Sequence, residues 1–241
     1  MLAVLSVEIR KLNRSLAAVL SLAAPSLIAL FMFFTLLRGK KAAPWEMFLQ
    51  ASTGIWAYFM LPMSVTALTA LVAHMEHGPR SWDHLRSLPT PRWRIYAAKA
   101  ICVLFLVVAM TGLNLLLTWA SVRTAAAIKP LVAPLGTPDF AKLAWLNAKV
   151  VAAATLLVAI QLWTALRFSS FVPALAMGIG GVFFSVVATS AKAGVFFPWQ
   201  MPVNMLADEA WRVQTALALG GGLGAVALVG AIVHLARREV L

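Results

Sequence analysis

Acids, bases and nucleophiles are few in this chain, and their spacing limits the chemistry it can perform. The one adjacent acidic pair is Asp208-Glu209, with no histidine or lysine near it in sequence to complete an acid–base couple. His74, His77 and His84 gather around Glu76, but His-Met-Glu-His is not the spacing of helix-borne zinc ligands. Solvated histidines are the expectation there, and no metal. No Gly-x-x-x-x-Gly-Lys-Ser/Thr phosphate loop and no nucleophile elbow occur, so the chain is not expected to hydrolyse ATP by the P-loop route or to bind a cofactor directly. The polar residues in the middle of apolar stretches are Asn114 and Gln161, whose reading is hydrogen bonding across a helix interface or, less readily, contact with a transported molecule. An intramembrane hydrolase or an ion-coupled transporter would want ionisable groups at bilayer depth, and none stands near the centre of a stretch.

The elements that must position these residues are read from composition. The chain has 241 residues, 62% hydrophobic and 12% charged. Soluble domains carry about 45–50% apolar and about 25% charged residues, so lipid is the solvent implied. A bilayer core needs about 20 apolar residues of helix and leaves no water for unpaired backbone groups, so the fold class expected is all-α integral membrane. The net charge of +12 lies beside apolar segments, where it suits anionic headgroups; nucleic acid is not an expected partner. A single cysteine, Cys102, rules out an intrachain disulfide.

Six apolar stretches are expected to span, near residues 16–37, 51–73, 95–122, 146–166, 171–189 and 213–235. Before them, residues 1–15 alternate apolar and basic groups. Val4, Val7 and Leu12 facing lipid, with Arg10, Lys11 and Arg14 facing headgroups, suits a helix lying in the interface; an ordinary charged lead-in is the alternative. The charges of Glu8 to Arg14 and the lack of a small-residue cleavage site argue against a cleavable signal. Lys99 is expected to snorkel to the headgroups. Residues 123–145, with Pro130, Pro134 and Pro138, are too proline-rich for one helix. Residues 194–206 are apolar but too short and proline-broken to cross, and suit a re-entrant placement. Small residues four apart, Ala174 to Gly178, Ala176 to Gly180 and Gly220 to Gly224, permit close helix approach. Six spans put both termini on one side. With that side inside, it holds eleven of the 20 Lys and Arg, leaving nine outside, a weak preference for cytoplasmic termini. The whole chain, 1–241, reads as one membrane domain.

One polar interruption stands out. Residues 74–94 carry Glu76, Gly78, Trp82, Leu85, Arg86, Pro89 and Arg92 between the second and third stretches. Trp82 and Leu85 share a helical face from which Asp83 and Arg86 are displaced, and Pro89 ends the segment. A short helix along the membrane surface, offering an aromatic and an aliphatic knob to a groove on another protein, is one reading; a solvated loop with Trp82 anchored in headgroups is the other.

The run Glu76-x-Gly78-x-x-x-Trp82-x-x-Leu85-x-Ser87-x-Pro89-x-x-Arg92, continuing to Ala98-Lys99, resembles the coupling region of ABC-2 type transporter permeases, nearest the lantibiotic-immunity and bacitracin-resistance subgroup. Gln161-x-Trp163-x-x-x-Arg167-Phe168-x-Ser170-Phe171-x-x-Pro173 and Phe197-Pro198-Trp199-x-Met201-Pro202 match the same pattern, and Glu8-x-x-Lys11-x-x-Arg14-Ser15 is similar to its interfacial helix. Ser81 stands where members often carry threonine, which keeps the hydroxyl. The resemblance implies a six-helix permease in a bacterial cytoplasmic membrane that pairs with a second permease subunit, as homodimer or heterodimer. Each would sit on a separate cytoplasmic ABC ATPase that binds ATP and magnesium. It implies ATPase docking through Trp82, Leu85 and Arg86, with Glu76 and Arg92 framing that helix, and an outer gate at Phe197, Pro198, Trp199 and Pro202. Asn114, Gln161, Gly178 and Gly220 are left to helix packing or the pathway. Export of amphiphilic peptide antibiotics or similar hydrophobic compounds is the expected function, which makes the chain a non-catalytic subunit. A non-transporting assembly subunit and an intramembrane enzyme are the rival readings.

Overall fold

The computed structural model describes residues 1–77, 89–189 and 191–237. Its elements are helices, with one isolated bridge between Pro44 and Leu135. Helix α1 (Leu2–Leu12) ends where Arg14 takes a left-handed φ of 62°. The turn is closed by Ser15, whose Oγ accepts from the Ala18 N–H (3.3 Å) and so caps α2 (Leu16–Arg38). At the other end of α2, Lys129 Nζ donates to the carbonyls of Leu37 (3.0 Å) and Gly39 (2.7 Å), filling acceptors that a helix end leaves open.

Helix α3 (Trp45–Ile55), a π turn (Trp56–Met60) and α4 (Leu61–His77) form one continuous apolar helix, longer at both ends than the stretch read from sequence. Helix α5 (Arg92–Ile128) likewise runs past residue 122 and stops only before Pro130. That proline lacks an N–H and its ring blocks the preceding turn, whereas 123–128 contain nothing that breaks a helix. Helices α6 (Phe140–Ala153) and α7 (Thr155–Arg167) are bent by 40° at Ala154. Helix α8 (Val172–Ala188) is followed by 3-10 turns at Lys192–Phe196 and Val203–Leu206. Helix α9 (Ala210–Leu217), a π stretch (Ala218–Leu223) and α10 (Gly224–Arg237) complete the chain.

Among the described residues, four helices are long and apolar enough to cross a membrane, Leu16–Arg38, Trp45–His77, Arg92–Ile128 and Ala210–Arg237, and the bent α6–α7 pair makes a fifth if it is one span. At 17 residues, α8 is shorter than these. Helix α5 runs along α2, α10 along α7, and α4 lies against α7 and α8. The faces turned away from these contacts are rich in exposed Leu, Val and Phe, among them Leu22, Phe31, Phe105, Phe183 and Val226. In water such surface would be costly; in lipid it is neutral, which fits the composition.

Polar side chains stitch the interior. Trp56, fully buried, donates its indole N–H to Thr111 Oγ1 (3.0 Å). Asn114 donates to Ser52 Oγ (3.1 Å), which lies 2.7 Å from Thr118 Oγ1. Gln161, with its amide oriented as its neighbours require, donates to the Ala174 carbonyl (3.2 Å) and accepts from the Gly178 N–H (3.1 Å). Both sequence-predicted polar residues thus bond across helix interfaces. A Cβ on Gly178 would meet Thr66 at 2.1 Å, and one on Gly224 the Leu156 backbone at 2.4 Å, so these glycines mark close approaches. Gly180 does not: it faces open space.

Candidate functional site

Two motifs far apart in sequence meet where α4 ends and α5 begins. Glu8 and Lys11 stand one turn apart on α1, Glu76 lies in the last turn of α4, and Lys99 lies two turns into α5. Lys11 Nζ is 3.0 Å from Glu8 Oε1 and 2.6 Å from Glu76 Oε1. Lys99 Nζ is 2.7 Å from Glu8 Oε2 and 2.8 Å from Glu76 Oε1. The four groups therefore close a ring of alternating charge in which each ammonium meets both carboxylates. The Lys99 side chain is 0% exposed and that of Glu76 2%, while Lys11 is partly open at 31%.

This corrects the expectation for Lys99. It does not snorkel: its ammonium is fully buried between two carboxylates from other helices, and a buried ammonium is tolerated when paired. It also corrects α1. Leu12 turns into the protein core rather than to lipid, and Lys11 turns to the ring rather than to water; Val7 and Arg10 remain exposed. A helix with Glu8 and Leu12 one turn apart must present that stripe to the protein once the carboxylate finds Lys99.

Burial works against the Lys11 ammonium, but the hydrogen bond to Glu76 and the charge and hydrogen bond of Glu8 outweigh it, so Lys11 titrates above the ordinary lysine value of 10.5. A raised folded pKa gives stability that is fully present below the unfolded value and is lost as pH rises through the folded one. The stability difference between wild type and Lys11→Met is therefore expected to be constant between about pH 7 and 9 and to shrink only in strong alkali, above the ordinary lysine range. Thermal unfolding of both proteins across that pH series in detergent checks this; a gap that closes near neutrality would contradict the ring.

Among the sequence-predicted coupling residues, Glu76 belongs to the ring. Pro89 and Arg92 are exposed at the entry to α5 and take no part in it. Gly78, Trp82, Leu85 and Arg86 lie outside the described residues. The participation of Glu8, Lys11 and Lys99 was missed as a unit. The sequence held a hint in the Glu8-x-x-Lys11 spacing and in a lysine within an apolar stretch.

Away from the ring, near the π turn of the α3–α4 helix, the predicted gate residues fold onto α8. Phe197 stacks on Trp199 (centroids 5.1 Å, 22°), and Phe184 of α8 meets Phe197 edge-on (5.0 Å). Trp199 and Pro202 are buried and Phe197 and Pro198 half-buried. A Cβ on Gly181 would lie 2.3 Å from the Trp199 ring, so only glycine lets the indole lie this close to α8. Among the described groups the Trp199 indole N–H has no partner.

No described residues group into a set of three or more His, Cys, Asp or Glu that would hold a metal. The arrangement defines a polytopic helical membrane protein with a buried ion-pair ring binding α1 to both helices that flank the 78–88 connection. The chain belongs to the ABC-2 family transporter proteins, whose family model matches residues 4–188. All four ring residues fall within the matched segment, while the 197–202 gate candidates lie beyond it. No curated protein and no solved structure matches the chain. The family is a membrane component of transport, generally non-catalytic, and implies association with an ABC ATPase.

Proposed function

We propose that this chain is the permease subunit of an ATP-driven ABC exporter, nearest in kind to the lantibiotic-immunity and bacitracin-resistance permeases. The observation that carries the reading is the ring. Glu76 and Lys99 tie together the two helices on either side of the 78–88 connection, and Glu8 and Lys11 add α1 to the same unit. A push on the connection then moves three helices together instead of bending one loop. In this reading the connection holds the coupling helix, with Trp82, Leu85 and Arg86 docked in a groove of the ATPase, Glu76 and Arg92 framing it, and Pro89 ending it.

The permease has six crossings, α8 with the turns after it completing the fifth, and lies in a bacterial cytoplasmic membrane with both termini cytoplasmic. It pairs with a second permease subunit, and ATP and magnesium bind only the ATPases. Closure of the ATPases on ATP brings the coupling helices together, tilts the spans as rigid bodies and shifts access outward. Amphiphilic peptide antibiotics or similar hydrophobic compounds are the cargo class, and Phe197, Pro198, Trp199 and Pro202 form the outer gate. The sequence holds neither a P-loop nor a nucleophile-elbow motif, which favours this over an intramembrane enzyme.

The test is retention of the partner. Affinity-tagged wild-type chain solubilised from its native membrane is expected to bring down a P-loop ATPase. The double variant Trp82→Ala, Leu85→Ala is expected to fold and to lose it. Full retention by the variant sinks the coupling role, and absence of any ATPase from the wild type sinks the permease reading.

A further inference from the structure

The outer turns are fastened to α8 by one side chain that no motif singled out. Gln200 is 3% exposed. Its Nε2 donates to the Ser185 carbonyl and to Thr189 Oγ1 (2.7 Å), in the last turns of α8 and just beyond it. Thr189 Oγ1 in turn lies 3.1 Å from the Tyr58 hydroxyl, on the π turn at Trp56–Met60. From the other side, Asn204 Nδ2 donates to the Gln200 carbonyl (2.8 Å), and the turn containing Asn204 packs on α6 and α9. Gln200 thus stands between α8 on one side and α6 and α9 on the other, and Tyr58 reaches the same oxygen from the helix whose far end carries Glu76.

We propose that Gln200 is the latch of the outer gate, a positioning residue that holds the Phe197–Trp199 stack shut on α8, and that Tyr58 couples that latch to the α3–α4 helix. The proposal rests on the reading of Phe197–Pro202 as an outer gate. The Ser185 carbonyl near the end of α8 accepts from Thr189 Oγ1 (2.8 Å), and the buried Gln200 amide adds a second donor that ties the outer turns to the same oxygen. A π turn is a place where a helix can shift register with little loss of bonding, and Tyr58 sits on it. A shear of the α3–α4 helix therefore moves the Tyr58 hydroxyl against Thr189, and Thr189 is one of the two acceptors of Gln200.

The experiment is thiol labelling in intact cells, with Cys102→Ala removing the native cysteine. Val195, 0% exposed within the first of these turns, is replaced by cysteine as the gate reporter, and exposed Lys192 by cysteine as the reporter of sidedness. Leu157→Cys, in the core, reports global loosening. With a membrane-impermeant maleimide, Lys192→Cys is expected to label and Val195→Cys to stay protected. Adding Gln200→Leu is expected to raise labelling at 195 by about tenfold, and Tyr58→Phe by a smaller factor, as local opening follows the lost hydrogen bonds. Position 157 is expected to stay silent. Protection at 195 unchanged by Gln200→Leu overturns the latch while leaving the gate reading intact. Rapid labelling at both 195 and 157 also overturns it, since Gln200 would then support the whole fold. If Lys192→Cys is not reached from outside, the gate reading fails and the latch with it. Tyr58→Phe removes only a hydroxyl, and an unchanged rate at 195 with that variant removes the π turn from the proposal.

Discussion

Lys99→Met is expected to be the most damaging single substitution in this protein, lowering stability by about 3–5 kcal/mol, the usual cost of stripping one partner from a buried ion pair. The reason lies in the ring's arithmetic. Glu8 and Glu76 together carry two negative charges, balanced by Lys11 and Lys99. Removing Lys99 strips a fully buried ammonium from the carboxylates of Glu8 and Glu76, whose side chains are 6% and 2% exposed. The double variant Glu76→Gln, Lys99→Met leaves Glu8 and Lys11, which still neutralise one another one turn apart on α1. It is therefore expected to be more stable than Lys99→Met alone, with an interaction energy within the usual range of about 0.5–3 kcal/mol. Thermal unfolding of the four proteins of the cycle in one detergent measures it. If the double variant is as unstable as the sum of the singles, the charges act independently and the ring is not a unit. Under the proposed function, Lys99→Met should also weaken retention of the ATPase, because the two helices flanking the connection lose their tie.

The second large effect is expected at Gly220. A Cβ there would lie 2.2 Å from the Ala153 carbonyl oxygen and 2.8 Å from its carbonyl carbon. Both obstacles are backbone, so no rotamer change relieves them. Gly220→Val must push the π stretch away from the bend at Ala154, and overpacking of this kind costs about 1–3 kcal/mol or more. Gly222, two residues away in the same π stretch, has nothing within 4 Å of its would-be Cβ. Gly222→Ala is expected to be neutral or to stabilise by up to about 1 kcal/mol, as alanine does over glycine in helices. Comparing the melting of the two variants separates close approach from helix propensity. Equal behaviour would mean that the π stretch and the bend do not depend on each other.

That pairing also explains what could and could not be read from the residues. Apolar runs and the proline at 130 give where helices lie, because burial in lipid and the missing N–H of proline act locally. The bend at Ala154 has no glycine or proline to announce it. It lies where the π stretch and α10 come in at Gly220 and Gly224, at the backbone of Ala153 and Leu156, a contact between segments more than sixty residues apart. The π turn at Trp56–Met60 is equally silent in sequence. The lysine in the third apolar run illustrates the same limit: its type and position allow a snorkelling reading, and only the arrival of Glu8 and Glu76 from separate helices turns it inward.

By themselves the residues determined that this is a helical membrane protein with its polar connection between the second and third apolar runs, because hydropathy is a property of each segment alone. Tertiary structure decided that the opening Glu8-x-x-Lys11 pair, Glu76 and Lys99 are one object, and that Gln200 rather than a motif aromatic makes the buried polar tie to α8. Such pairings depend on where helices cross, and crossing geometry is set by all the packed surfaces at once.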